Sequence, residues 1–478
     1  MGDSMNTKTE NVFRAYDVRG VADRDFDGAW VERLGLALGR WFRERGLDRV
    51  VVGRDGRISS PEYAERLSQG LARTGRDVIC TGQVSTPVLY HAVHRLGTRA
   101  GVMVTASHNP PEYNGFKIWG GDCVLSPEEI QEVGRLMQAL DQPVAPEDHC
   151  PETVPGGMVS RYDAISPWLE ELAGLERIDP PEAGERPLRV VVDGGNAPAG
   201  ELAARLLERA GNAAGLQVER LFCEVDPNFP NHHPDPVVEA NMEQLQERVV
   251  ATGADLGVGL DGDGDRLGVV DETGRLWPGD QLLALLARDL LARRPGARII
   301  ADVKCSHLLF ADIEAHGGKA VMGVTGHSIM KRALREQNAA LAGEMSGHLF
   351  FADGFFGWDD AAYAALRLTA LLSRAGRPLS ALLRGWPHSV STPEIRTACP
   401  EEIKFDVVRR VQKDLQNQHH IIDVDGVRVV FPDGWGLVRA SNTQPELTMR
   451  FEADTRSRLE EIRAVVCDAV ERAVRALQ

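Results

Sequence analysis

Three apolar strands in similar dress constrain the fold of this chain more than any other feature: Arg49–Asp55 reads RVVVGRD, Arg189–Gly195 reads RVVVDGG and Arg298–Val303 reads RIIADV. Successive copies lie a domain's length apart, and helix-like sequence flanks each one. Strands that alternate with amphipathic helices build α/β units, so the repetition predicts a series of related α/β domains. Apolar residues recur at three-to-four spacing over Trp30–Arg45, Pro61–Thr74, Ser126–Leu140, Gly200–Ala210, Gly279–Arg294 and Arg456–Leu477, which predicts helices there. With 478 residues the chain is longer than one hydrophobic core supports. Breaks rich in proline and glycine at Pro143–Gly157 and Gly376–Pro393 are candidate linkers, and Asp179–Pro187 reads as a solvated loop. These place domains at 1–156, 157–275, 276–387 and 388–478. After Pro393 mixed strands and helices replace the earlier pattern, so the last domain is expected to be smaller and of α+β type.

Composition bears on the partners. Asp and Glu outnumber Lys and Arg by 70 to 54, a formal charge of −16 that repels nucleic acid and anionic membranes. A small phosphorylated ligand is still compatible, because a local cluster of Arg and Lys outweighs a distant negative field. The seven cysteines are scattered, odd in number and without a C-x-x-C pair, which suits a reducing cytoplasm. Met1–Asn11 is polar with no apolar signal core, and no run of about 18 apolar residues occurs, so a cytoplasmic protein is expected.

Four loops carry chemistry. In Gly101–Lys117, GVMVTASHNPPEYNGFK, an apolar strand runs into a polar, proline-broken loop with Ser107 at the strand end beside His108 and Lys117. That serine is either a nucleophile or phosphoryl carrier, or an ordinary turn cap next to Asn109 and Pro110. In Ala254–Arg266, ADLGVGLDGDGDR, a strand feeds Asp261, Asp263 and Asp265 into one loop. Buried together they would repel one another, and a hard divalent cation, magnesium best, is the natural compensation; the alternative is a solvated acidic turn. The glycines at 257, 259 and 262 satisfy G-x-G-x-x-G, but the carboxylates that follow would repel a pyrophosphate and Leu267–Val270 reads as strand. An EF-hand is excluded because Arg266 stands where that calcium loop needs glycine.

In Ala342–Phe351, AGEMSGHLFF, the alternating Glu344, Ser346 and His348 would share one side of an extended loop and could bind vicinal sugar hydroxyls, or could form an ordinary turn. In Arg439–Phe451, RASNTQPELTMRF, Arg439, Ser441, Asn442 and Thr443 crowd short donors beside a guanidinium, which suits a phosphate, though Ser-Asn-Thr before Pro445 also makes a good turn.

Taken in order, TASHNP (Thr105–Pro110), DGDGDR (Asp261–Arg266), GEMSGH (Gly343–His348) and RASNT (Arg439–Thr443) strongly resemble the α-D-phosphohexomutase superfamily. YDVRG (Tyr16–Gly20), GRDGR (Gly53–Arg57), PNHHPDP (Pro230–Pro236) and TGHSIMK (Thr325–Lys331) extend the resemblance along the chain. Met345 looks like the phosphomannomutase/phosphoglucomutase branch, since phosphoglucosamine mutases typically carry Gln there. The resemblance implies three α/β domains with mixed sheets and a smaller α+β domain around a central cleft, each bringing one of the four loops.

By the same resemblance Ser107 is the phosphoserine, and Asp261, Asp263 and Asp265 hold Mg2+ together with its phosphate. Arg266 and Arg19 lie beside them, Lys117 and His348 are candidates for proton transfer, and Tyr16, Lys304 and His327 line the cleft. Glu344 and Ser346 read sugar hydroxyls, and Arg439, Ser441, Asn442 and Thr443 grip the phosphate that is not reacting. The implied reaction interconverts hexose 1-phosphate and hexose 6-phosphate, of mannose, glucose or both, through a hexose 1,6-bisphosphate that also serves as activator. A monomer or weak homo-oligomer is expected. The competing readings are a phosphoglucosamine mutase and a metal-dependent sugar phosphatase. Departures are small: Ala197 and Pro198 follow Asn196 where relatives often have glycine, and the chain is lengthened near Asp179–Pro187. The adjacent His232 and His233 could hold zinc, but their flanking prolines resemble a structural loop of the family.

Overall fold

The computed structural model describes residues 12–14, 16–140, 156–441 and 444–477. Met1–Asn11, nearly all of the Pro143–Gly157 break, and Asn442 and Thr443 lie outside the described residues. The chain forms two compact units, Met1–Pro278 with Ser346–Leu382, and Gly279–Met345 with Leu383–Gln478.

The first unit contains two sheets. One is built from β1 (Val18–Val21), β2 (Arg49–Arg54), β3 (Asp77–Gln83), β4 (Ala100–Val104), β5 (Tyr113–Gly120), β6 (Cys123–Val124) and β7 (Val159–Arg161), in the order β1-β5-β4-β2-β3-β7 with β6 on β5. β2 runs parallel to both its neighbours, and Val50, Val51 and Val52 are buried. A strand covered on both faces is apolar without alternation, which is why RVVVGRD reads as a continuous run. β4 and β5 are antiparallel, so the serine loop is the connection between two paired strands, with Lys117 on β5 opposite Met103.

Helix Gly28–Glu44 starts at Asp27, whose carboxylate accepts from the Trp30 amide at 2.8 Å, and buries Val31, Leu34, Leu38, Trp41 and Phe42. It packs on helix Ser60–Arg73 through glycines. A Cβ on Gly35 would lie 2.5 Å from the Leu67 carbonyl oxygen, and one on Gly70 would lie 2.1 Å from that of Glu32. Two backbones this close leave no room for a methyl group. Gly70→Ala is therefore expected to destabilise the protein by about 2 kcal/mol through overpacking, read as a lower urea midpoint at unchanged slope.

The second sheet is built from β8 (Arg189–Asp193), β9 (Gln217–Leu221), β10 (Leu256–Leu260), β11 (Leu267–Asp271) and β12 (Leu276–Trp277), in the order β12-β11-β10-β8-β9. β8, β9 and β10 are parallel, while β10 and β11 pair antiparallel with Leu260 opposite Leu267. The segment Asp261–Arg266 is thereby the loop of a hairpin whose strands are wholly buried. Helix Ala361–Ala375 joins this unit by packing on β10, β11 and helix Pro198–Gly211.

In the second unit, β13 (Arg298–Asp302) lies between β14 (Lys319–Gly323) and β15 (Leu341–Gly343), parallel to both. A separate antiparallel sheet follows the order Val390–Ser391, Glu446–Ala453, Gly434–Ala440, Val427–Phe431, His420–Ile422. Helices Lys404–Leu415 and Arg456–Leu477 cover it through Val407, Val411, Leu459, Ile462 and Val466. No helix among the described residues is long and apolar enough to cross a membrane.

Candidate active site

Ser107 follows β4 in the left-handed region, at φ +52°. Its amide donates to Thr105 Oγ1 at 2.9 Å, and its hydroxyl donates to Asp261 Oδ2 at 2.6 Å. The His108 ring lies alongside, with Nδ1 at 3.1 Å from Ser107 Oγ. Burial, helped by the positive charges of Arg266, Arg19 and Lys117, holds the His108 pKa well below the usual histidine range, so that ring is neutral.

Asp261 organises its own loop. Its Oδ1 accepts from the amides of Gly264, Asp265 and Arg266 at 2.9, 3.0 and 3.1 Å, leaving Oδ2 for the serine. Asp263 and Asp265 are buried beside it, and each of the three carboxylates offers an oxygen within 4.8 Å of the others'. Burial, then repulsion from Asp265 and Asp263, raises the Asp261 pKa well above the carboxylate range. Lys117 Nζ stands between Asp263 Oδ2 at 2.6 Å and Asp265 Oδ2 at 2.5 Å. Burial opposes its charge, but Asp263, Asp265 and Asp261 outweigh that and hold its pKa above the usual lysine range. Asp263 Oδ1 is buried with no hydrogen-bond partner among the described residues. Three buried carboxylates and one ammonium leave an excess of negative charge, and this oxygen-rich, hard donor set fits a magnesium ion.

Arg266 and His348 complete this cluster. Arg266 Nε donates to His348 Nε2 at 3.1 Å, so that nitrogen presents a lone pair and the proton of the neutral ring sits on Nδ1. His348 Nδ1 lies 2.9 Å from Asp359 Oδ2 and 3.7 Å from Asp265 Oδ1. Asp359 is fully buried and was not singled out in the sequence; its neighbour Asp360 caps helix Ala361–Ala375. Arg19 is held by Asp17 and donates through Nη1 to Asn109 Oδ1 at 2.6 Å, tying β1 to the serine loop. Tyr16 is half-buried just before β1.

Of the two readings of the GEMSGH segment, an extended loop or a turn, the structure has the turn. The segment turns because Gly347 takes φ +87° against β11, where a Cβ would lie 2.5 Å from the Leu267 carbonyl oxygen. Glu344 belongs to the second unit, Ser346 and His348 to the first. Within the second unit Glu344 Oε1 accepts from the Gly326 amide at 2.8 Å, fixing the turn that starts helix His327–Glu336. His327 Nδ1 lies 3.1 Å from Lys331 Nζ. Asp425, also unremarked in the sequence, joins the Thr325 amide and Arg439 Nη2, both at 3.0 Å. Lys304 pairs with Glu394 at 3.3 Å, and Lys404 donates to the Ser441 carbonyl at 2.6 Å. Eight of the proposed residues thus form one buried or half-buried group in the first unit: Ser107, Asp261, Asp263, Asp265, Lys117, Arg266, His348 and Arg19.

Four consecutive stretches match the phosphoglucomutase/phosphomannomutase domains: alpha/beta/alpha domain I at residues 10–144, domain II at 167–274, domain III at 278–389 and the C-terminal domain at 394–469. The phosphomannomutase/phosphoglucomutase of Pseudomonas aeruginosa is 45% identical over 460 residues, 96% of this chain and 95% of that protein. The phosphoglucomutase of Neisseria gonorrhoeae is 41% identical over 461 residues, covering 96% of both. Among solved structures, a phosphoglucomutase/phosphomannomutase family protein from Burkholderia thailandensis superposes with a TM-score of 0.86 at 37% identity, over 98% of each chain. Four domain matches in order, whole-length identity and a shared fold therefore place this chain in the phosphoglucomutase/phosphomannomutase family of the α-D-phosphohexomutase superfamily.

Proposed function

We propose that the protein interconverts the 1- and 6-phosphates of both mannose and glucose, with Ser107 as the phosphoryl carrier. The observation that supports this most is the 2.6 Å approach of the Ser107 hydroxyl to a buried trio of carboxylates that fits a magnesium ion. Phospho-Ser107 gives its phosphoryl group to the free hydroxyl of a hexose monophosphate. The P–Oγ bond breaks, a P–O bond to the sugar forms, the sugar hydroxyl proton passes to a neighbouring base, and the leaving Ser107 Oγ takes up a proton to regenerate the serine hydroxyl. The resulting 1,6-bisphosphate reverses its orientation and returns its other phosphoryl group to Ser107.

Magnesium held by Asp261, Asp263 and Asp265 would neutralise charge on the phosphoryl oxygens. Arg266 and Arg19 add fixed positive charge, and His348 is a candidate base whose Nε2 lone pair, which accepts from Arg266 Nε here, takes the proton when Arg266 turns to the phosphoryl oxygens. Lys117 is the second candidate for that proton, and the carboxylates around it keep it charged until another cation shares them. Glu344 and Ser346 are assigned to the sugar hydroxyls. Arg439, Ser441, Asn442 and Thr443 are assigned to the distal phosphate, with Tyr16, Lys304 and His327 alongside. Mannose and glucose differ at C2, away from the hydroxyls assigned to Glu344 and Ser346, so one site serves both.

The test uses purified enzyme primed with glucose 1,6-bisphosphate and magnesium. Both 1-phosphates are expected to isomerise without net phosphate release, glucosamine phosphate to remain, and activity to vanish with chelator and return with Mg2+. Turnover of one hexose alone, or release of inorganic phosphate in place of isomer, refutes the reading.

A further inference from the structure

We propose that Arg57 is a positioning residue for phosphoryl transfer, holding the Ser107 loop through its backbone carbonyls; the inference rests on Ser107 being the phosphoryl carrier. Arg57 is 1% exposed. Its Nη1 donates to the carbonyl oxygens of Pro110 at 2.6 Å and Tyr113 at 3.0 Å, and its Nη2 to those of Ser107 at 2.7 Å and Asn109 at 2.6 Å. Nε donates to Asp55 Oδ2 at 3.1 Å. A guanidinium has five N–H donors in a rigid plane, and all five are used here.

Three of these acceptors, the carbonyls of Ser107, Asn109 and Pro110, belong to the loop that presents Ser107, and the fourth, that of Tyr113, begins β5 where the loop ends. The Ser107 carbonyl is held on a second side by Gly262, where a Cβ would lie 2.1 Å from the oxygen. A serine at φ +52° is in a sparsely populated conformation, which persists only where the surroundings over-determine it. The guanidinium and the glycine supply that constraint, and they aim Oγ at Asp261. The same bonds turn four carbonyl oxygens onto a cation, whereas loose carbonyls would repel a phosphoryl dianion. Asp55 fixes the guanidinium in turn: its Oδ1 accepts from the Arg57 amide at 3.0 Å and from Ser60 Oγ at 2.5 Å.

Arg57 acts on the reaction through the loop, so its loss loosens the donor and leaves the assigned sugar-binding groups in place. In-line transfer is steep in geometry, and a displacement on the order of 1 Å lowers rate about 10²-fold. Lysine at 57 has three donors and no plane, so it cannot hold four carbonyls and a carboxylate.

The experiment compares wild type, Arg57→Lys, and the double variant Asp55→Asn with Arg57→Gln, which leaves no unpaired buried charge. Each is primed with glucose 1,6-bisphosphate, its phosphate per chain is read by intact mass, and turnover is expressed per phosphorylated chain. The expected result is a kcat about 10²-fold lower, KM changed by less than about twofold, and a larger share of phosphoryl groups lost to water. Wild-type turnover per phosphorylated chain, or a loss carried by KM, overturns the proposal. So does failure of both variants to accumulate as folded protein, which would make Arg57 a residue of the fold alone. Absence of phosphate on wild-type Ser107 instead refutes the carrier reading, whatever the variants do.

Discussion

Ser107→Ala is expected to lower turnover of hexose 1-phosphates by about 10³-fold or more, because on the proposed mechanism it removes the atom that carries the phosphoryl group between the two sugar hydroxyls. Removing a binding contact raises KM, whereas removing the carrier removes the route itself. The fold should survive, since the Ser107 hydroxyl makes one donated hydrogen bond, to Asp261, and Thr105 still receives the amide of residue 107. Intact mass should show one added phosphate on primed wild type and none on the variant. A variant that isomerises at the parental rate would place the chemistry elsewhere.

The second large effect is expected at Asp359. Arg266 must donate to His348 Nε2, which leaves Nδ1 to carry the proton and to face Asp359 at 2.9 Å. An asparagine there can direct its amide N–H at Nδ1, which favours the tautomer with the proton on Nε2. That proton would meet the Arg266 N–H head-on, and the Nε2 lone pair, which accepts from Arg266 here and on the proposed mechanism takes the substrate proton, would be lost. Asp359→Asn should lower kcat about 10²-fold, in the range of one lost acid–base group, with KM nearly unchanged. Nitrogen NMR of His348 should show the proton moved from Nδ1 to Nε2. Parental kcat in the variant would remove His348 from proton transfer.

Much of the local structure was legible. Predicted helices at Trp30–Arg45, Pro61–Thr74 and Ser126–Leu140 match Gly28–Glu44, Ser60–Arg73 and Pro127–Ala139, because each carries an apolar stripe at three-to-four spacing. Helix Ala361–Ala375 was not anticipated. Twelve of its fifteen residues are buried, so it has no polar face to set a period. Helix Thr86–Leu96 was missed for the same reason, with Thr86 through Val93 all buried.

Sequence by itself determined which residue types stand where strands end: a serine after β4, three aspartates after β10, and Arg439 near the end of strand Gly434–Ala440 with Ser441 just beyond it. Such readings succeed because strand periodicity and loop chemistry are local, written within a few neighbouring residues. Only the tertiary structure decided the partners. Ser107 meets Asp261 across 154 positions, Lys117 meets Asp265 across 148, and Arg266 meets His348 across 82. Asp359, Asp425 and Arg57 acquire their parts in the same way. A buried charge or a lone pair has meaning only relative to what the folded chain sets against it, and that pairing is a property of packing in three dimensions.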